Sequence, residues 1–322
     1  MTLPFNRRQF TLAAASAWLG AGTPVQTMAQ STLPKTISLV VPNAAGGSND
    51  VMARAVAMRL PPVLGISVVV DNRAGAGGNV GSAYVAKSAP RDGSTWLVTI
   101  NSTQTINPSL YKSTGFDPLA DFEPVAGIAV VQHVFLVPKT LPVNNLAELI
   151  ELARRESGKL SYGSAGNGTF SHLLMEMLKM SQGLQITHVP YKGVAPALTD
   201  LVISTIPACL QFIKSGQVKA LAVPSLQRAP ALPQVPLANE VVPGLVGELW
   251  VAMYAPQGVP RDMIEQMRQG VAKVQALPDM DAFFQAQGAS AMKAGPAELL
   301  AATKEEFARW APIIKASGMR VD

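Results

Sequence analysis

Three glycine-rich turns constrain the fold of this chain most strongly, because each lies between an apolar strand-like run and a helix-like run. The turns cover residues 42–48, 71–78 and 163–169. Glycine permits positive φ and close approach of a ligand to the backbone. The first amides of a helix have no intrahelical partner, and the helix dipole is positive there. Three such junctions indicate a site for a small anion such as a carboxylate, although glycine is also common in the βα connections of any α/β protein.

The rest of the chain alternates between strand-like and helix-like patterns from residue 36 onward. This alternation predicts an α/β fold with mainly parallel sheets and helices on both faces. The predicted strands are 37–41, 66–70, 96–100, 134–137, 161–163, 185–189, 220–223 and 249–255. The predicted helices are 48–60, 79–86, 146–156, 170–180, 195–201, 261–276 and 296–310.

Composition narrows the class of protein. The 322 residues are 48% hydrophobic and 15% charged, which is typical of a globular chain long enough for two domains. The net charge of +5 is not gathered into a basic stripe, so we expect no binding to nucleic acid. A lone Cys209 rules out an internal disulfide, and its simplest interpretation is a small buried side chain.

The sequence predicts neither a metal nor a cofactor. His133, His172 and His188 lack the spacing of zinc ligands relative to one another or to cysteine. The run Gly75-x-Gly77-x-x-x-Gly81 is only a loose match to a dinucleotide fingerprint, and no acidic residue ends the next predicted strand.

The N-terminus has the layout of a signal peptide over residues 1–29. The basic segment Asn6-Arg7-Arg8-Gln9-Phe10-Thr11-Leu12 precedes a short apolar stretch, and Thr27 and Ala29 offer small residues before a cut at Gln30. The paired arginines resemble a twin-arginine signal, and general secretory export remains the alternative. We therefore expect the mature chain in the periplasm.

The ordered set of short motifs resembles the Bug-type extracytoplasmic solute receptors of tripartite tricarboxylate transporters. The matching residues are Val41-Pro42, Gly46-Gly47-x-x-Asp50-x-x-Ala53-Arg54, Asn72-Arg73-x-Gly75-Ala76-Gly77-Gly78, Ala86 to Pro90 with Asp92-Gly93, Asn107-Pro108-x-Leu110-Tyr111, Tyr162-Gly163-Ser164-Ala165-Gly166 with His172-Leu173, His188-Val189-Pro190-Tyr191-Lys192-Gly193, Leu221-Ala222-Val223 and Ala255-Pro256-x-Gly258-x-Pro260. The resemblance covers essentially the whole mature chain.

This resemblance implies a two-lobed periplasmic binding protein of the Venus-flytrap, type II-like kind that closes on a small organic acid. Lobe 1 would comprise residues 30–132 and 250–322, and lobe 2 residues 133–249. It implies a monomer without catalysis or cofactor, which delivers its ligand to membrane permease subunits. The implied ligand-binding residues are Asn43, Ala44, Ala45, Gly46, Gly47, Ser102, Thr103, Ser164, Ala165, Gly166 and Thr169.

Two departures and two alternatives accompany the resemblance. Asn43 stands where the family usually has an aromatic residue, and the stretch near 203–210 is short, which predicts that a strand of lobe 2 is missing. A ligand sensor for a signalling partner is one alternative function. An exported enzyme using His172 is the other, since Thr169, His172 and Glu176 would share one helical face.

We predict that the mature chain begins near Gln30, because the basic, apolar and small-residue segments occur in the order that signal peptidase recognises. N-terminal sequencing of the protein from a periplasmic extract would check this. An intact Met1 terminus on cytoplasmic protein would contradict it.

Overall fold

The computed structural model describes residues 32–164, 166, 168–191, 195–197 and 199–321, so the predicted signal peptide lies outside the described residues. The strands are β1 (Thr36–Val41), β2 (Ser67–Asn72), β3 (Thr95–Ile100), β4 (Phe122–Val131), β5 (His133–Pro138), β6 (Ser161–Ser164), β7 (Thr187–Pro190), β8 (Leu201–Thr205), β9 (Val218–Ala222), β10 (Leu249–Pro256) and β11 (Ala289–Ala291). The helices are α1 (Ser48–Leu64), α2 (Asn79–Lys87), α3 (Asn107–Leu110), α4 (Leu146–Arg155), α5 (Phe170–Gln182), α6 (Ile206–Lys214), α7 (Arg261–Gln275), α8 (Pro278–Ala286) and α9 (Pro296–Ser317). Within the described ranges, none of the helices combines the length and apolar character needed to span a membrane.

The strands form two separate sheets, each covered by helices. The first has the order β11-β4-β10-β3-β1-β2, and the second has the order β7-β6-β8-β5-β9. Strands β1, β2 and β3 pair in parallel, as do β6, β7 and β8, whereas β10 and β5 pair antiparallel with both of their neighbours. The sheets are therefore mixed, and the expectation of mainly parallel sheets was wrong in that detail.

Alternating residues of β1 explain why helices lie on both faces of the first sheet. Leu39 belongs to the same core cluster as Met52 and Val56 of α1. The next residue, Val40, packs instead in a second cluster that contains Val85 of α2. Successive strand side chains point to opposite faces, so a continuous apolar run requires cover on both sides.

A single residue joins the two sheets. Strand β4 ends at Val131 in the first sheet, and β5 begins at His133 in the second. The chain returns to the first sheet when β10 begins at Leu249. The exact lobe limits expected from the sequence stay a prediction.

The predicted helix over 195–201 and the predicted loss of a strand were both wrong. Strand β8 begins at Leu201 and lies at the centre of the second sheet, parallel to β6 and antiparallel to β5. Its Leu201, Val202 and Ile203 are almost fully buried. A short apolar run of this kind does not distinguish a buried strand from a helix segment, and here the pairing partners decide.

We predict that the amides of β8 exchange as slowly as that of Val40 in β1, because both strands have neighbours on each side. Hydrogen–deuterium exchange of the folded protein would measure this, with the edge strands β2 and β7 as internal references. Rapid exchange at Val202 and Ile203 would mean that β8 is not a stable central strand.

Candidate functional site

A cavity of about 250 Å3 lies where three helices begin, and we call it the helix-end cavity. Its lining residues are Ser48, His133, Ser164, Ser171, Ala197, Val202, Ile203, Ser204, Thr205 and Ala208. Ser48 is the first residue of α1, Ser171 is the second of α5, and Thr205 directly precedes α6. Three positive helix ends therefore meet at one cavity.

The helix-end cavity is polar without being charged. Its described lining residues include hydroxyl groups and His133 but no lysine, arginine, aspartate or glutamate. At the start of α6, the Ile206 amide already donates to the carbonyl of Gln132 at 2.9 Å. Pro207 has no amide hydrogen, so the next amide along α6 belongs to Ala208, which lines the cavity. Such a surface suits an anion that is held by neutral donors and helix dipoles.

A second cavity of about 250 Å3 adjoins the first, and we call it the Tyr111 cavity. Its lining residues are Asn43, Gly77, Ile100, Ser102, Asn107, Leu110, Tyr111, His133, Gly168, Thr169, Phe170, Ser171 and Leu249. The two cavities share His133 and Ser171. Cavities of about 300 and 280 Å3 lie elsewhere, beside Gln275 and Phe307 respectively, but neither gathers the N-termini of three helices.

The structure brings four of the predicted site residues to these cavities. Ser164 lines the helix-end cavity, and Asn43, Ser102 and Thr169 line the Tyr111 cavity. The other predicted residues that the structure describes line neither cavity. Ala44, Ala45, Gly46 and Gly47 are exposed in the turn before α1, Gly166 is half-buried, and Ala165 lies outside the described residues. Thr103 is fully buried, and its hydroxyl donates to the carbonyl of Gly77.

Several lining residues escaped the sequence analysis. One available signal was Thr205 directly before Ile206-Pro207, because a hydroxyl residue followed by proline is typical of a helix start. His133 and Tyr111 gave no local signal. They reach the cavities because β4 crosses into β5 and because α3 follows the π-helical turn Ser102–Ile106.

A carboxylate holds the first turn in place. Asp50 accepts hydrogen bonds from the Gly46 amide, from Arg54 Nε and from Asn72 Nδ2, each at 2.9 Å. Burial alone would raise the pKa of Asp50, but these hydrogen bonds leave its pKa below the ordinary value. Asn49 Nδ2 also donates to Asn43 Oδ1 at 2.8 Å. The Gly46 amide is thus occupied within the turn, and Asp50 serves to support the turn.

Two stacked histidines hold the third turn. Ser164 Oγ lies 2.6 Å from His188 Nε2, and the Gly168 amide donates to His172 Nδ1 at 3.0 Å. The rings of His172 and His188 are stacked with centroids 3.8 Å apart, and Tyr162 stacks on His188 at 4.8 Å. The turn that lines both cavities therefore depends on imidazoles that accept or share hydrogen bonds.

The environment of His172 favours the neutral form of its ring. Burial lowers the pKa of His172 to about 4, with a further contribution from the neighbouring His188. Glu176 Oε1 lies 3.9 Å from His172 Nε2, and it accepts closer hydrogen bonds from Tyr162 and Lys179. His172 and Glu176 are both buried. Because the Gly168 amide donates a hydrogen bond to His172 Nδ1, the role of His172 is to support the turn.

The comparisons with known proteins identify the family. The sequence profile of the tripartite tricarboxylate transporter family receptor (TctC) matches residues 52–319. The chain belongs to this family, which consists of receptors for transport, and it has the two-lobed α/β fold of periplasmic binding proteins.

Three solved structures are similar over nearly their whole length. An R. palustris protein with adipate has a TM-score of 0.78 at 35% identity, covering 88% of this chain and 98% of that one. The periplasmic binding protein BugD has a TM-score of 0.75 at 36% identity, with coverage of 88% and 98%. MatC from Rhodopseudomonas palustris, with bound malate, has a TM-score of 0.74 at 28% identity, with coverage of 87% and 98%.

We predict that His172 destabilises the fold in mild acid. The pKa of His172 is about 4 in the folded protein, below the ordinary value of 6.5. As the pH falls through 6.5, the unfolded chain therefore binds a proton at this residue and the native state does not. The resulting loss between pH 7 and pH 5 is about 2 kcal/mol. Urea unfolding at pH 7 and at pH 5 gives the free energy of unfolding at each pH. The decrease between the two pH values should be about 2 kcal/mol smaller in His172→Gln than in the wild type.

The comparison with His172→Gln is needed because another buried group titrates over the same pH interval. Burial raises the pKa of Glu306 to about 7, so this carboxyl stabilises the native state as the pH falls over the same interval. The same pH dependence in wild type and His172→Gln would show that His172 does not titrate in this way.

Proposed function

We propose that this chain is a periplasmic receptor that binds a small organic acid and delivers it to the permease subunits of a tripartite tricarboxylate transporter. The observation that carries the proposal is the convergence of the α1, α5 and α6 N-termini on the helix-end cavity. A carboxylate there gains from three helix dipoles and from amides that lack intrahelical partners. The family membership and the adipate and malate ligands of the similar structures support this choice of ligand class.

The carboxylate is held by neutral groups. Hydroxyls of Ser48, Ser164, Ser204 and Thr205 surround the cavity together with the Ala208 end of α6. Such donors bind an anion without the cost of desolvating a lysine or arginine. The Asn43–Gly47 turn, with Ala165 and Gly166, completes the contacts when the lobes close.

The remaining parts of the proposal come from the predictions made from the sequence. Residues 1–29 direct export, the lobes comprise 30–132 with 250–322 and 133–249, and the receptor acts as a monomer. The protein binds and releases its ligand without chemical conversion. In cells that lack this receptor, uptake of the identified acid should fail and should return when the receptor is supplied.

We predict that Thr205→Val weakens carboxylate binding by about tenfold or more, because it removes one hydrogen bond to a charged group. The side chain of Thr205 makes no capping bond to α6, so the isosteric change leaves the helix start intact. A thermal-shift screen of small organic acids would identify a ligand, and calorimetric titration would then give its Kd.

Ser215→Ala is the matched control, because Ser215 follows the other end of α6 and is exposed. It should bind like the wild type. If no organic acid raises the melting temperature, the proposed function is wrong. If Thr205→Val binds as tightly as Ser215→Ala, the carboxylate does not lie at the start of α6.

A further inference from the structure

We propose that the ligand is a monocarboxylate whose uncharged aryl or alkyl body extends past His133 into the Tyr111 cavity. This inference rests on the proposed function, in which the helix-end cavity holds the carboxylate. It goes further by assigning the chemistry of the opposite end of the ligand.

The volumes favour a ligand that uses both cavities. Each cavity measures about 250 Å3, and the two meet at His133 and Ser171. Ligand pockets usually enclose about 300–1,000 Å3. Each cavity alone falls below that range, whereas a ligand that passes between them has a pocket of ordinary size.

The walls of the Tyr111 cavity suit an apolar body. Ile100, Leu110, Phe170 and Leu249 contribute apolar side chains, and Tyr111 adds an aromatic ring. The Phe170 ring lies 5.2 Å from the His133 ring and is tilted by 52°, so aromatic groups also border the place where the cavities share His133. Burying a hydrocarbon chain or ring there gains about 25 cal/mol per Å2 of apolar surface.

The polar groups of the Tyr111 cavity are mostly engaged elsewhere. Asn107 Nδ2 donates to the Gly77 carbonyl at 3.0 Å and to Asn79 Oδ1 at 2.7 Å. Thr169 Oγ1 donates to the Gly166 carbonyl at 2.7 Å, and Asn43 Oδ1 accepts from Asn49. Burial raises the pKa of Tyr111, so its hydroxyl remains protonated and suits a neutral polar substituent.

A second carboxylate in this cavity would lack a counter-charge. Among the residues that the structure describes, those lining this cavity include no lysine or arginine. His133 is only 4% exposed, its Nδ1 has no partner among the described residues, and burial lowers its pKa to about 4. The His133 imidazole is therefore neutral at physiological pH and offers one hydrogen bond without a charge. Burying an anion against such walls is unfavourable.

Hexanoate and adipate test the proposal, because they have the same chain length and differ in the distal carboxylate. Calorimetric titration of the full mature protein should give a Kd for hexanoate about tenfold or more below that for adipate. Hexanoate and phenylacetate should also bind more tightly than acetate, since only they reach the Tyr111 cavity.

A charge introduced at the Tyr111 cavity should change this preference. Asn43→Lys places a cation at a half-buried lining position, and we expect it to tighten adipate binding relative to hexanoate binding. Ser215→Lys adds the same charge at an exposed residue after the far end of α6, which lines neither cavity, and should keep the wild-type ratio. Melting temperatures of both variants would establish that each is folded.

The outcomes separate this inference from the proposed function. Adipate binding more tightly than hexanoate to the wild type, or hexanoate binding no better than acetate, would overturn the inference while leaving carboxylate binding intact. An unchanged hexanoate-to-adipate ratio in folded Asn43→Lys would likewise contradict the assigned position of the distal end. Failure of every acid to bind would refute the proposed function and this inference with it.

Discussion

The crossing of the chain at Gln132 is the constraint on which the candidate site depends. One residue separates β4 in the first sheet from β5 in the second. The Gln132 carbonyl accepts a hydrogen bond from the Ile206 amide at 2.9 Å. The Gln132 side chain donates to Ser225 Oγ and to the Gln227 carbonyl. The same residue thus fixes the start of α6 and the connection that leads back to β10. His133 follows it directly and must lie where both cavities meet.

Many hydrogen bonds hold the turns behind the cavities in place. Where helix dipoles and neutral donors face a cavity, their direction matters, and direction is lost if the turns move. Asp50 fixes the first turn through three hydrogen bonds, and the stacked His172 and His188 fix the third. The charged side chains of this arrangement lie behind the turns, where they orient amides and hydroxyls, and the described residues that line the two cavities include no lysine, arginine, aspartate or glutamate.

The sequence predicts the parts of this site that are set by local chemistry. The glycine-rich turns and the helices that follow them are local features, and they placed Ser164, Thr169 and Asn43 among the candidates. Ser204, Thr205 and His133 could not be found in this way, because their positions depend on β8 inserting between β6 and β5 and on the crossing at Gln132. Thr103 was implied by the family resemblance, but the π-helical turn at Ser102–Ile106 places it under Gly77.

The stretch near residues 203–210 folds differently from what the sequence suggested. Strand β8 lies in the second sheet and passes directly into α6, with Thr205 ending the strand and Ile206 beginning the helix. A longer connection would let the helix start at a distance from the sheet edge. This direct junction puts the N-terminus of α6 and the hydroxyls of Ser204 and Thr205 beside the N-termini of α1 and α5. The stretch therefore contains a strand, and it provides the third positive helix end of the cavity.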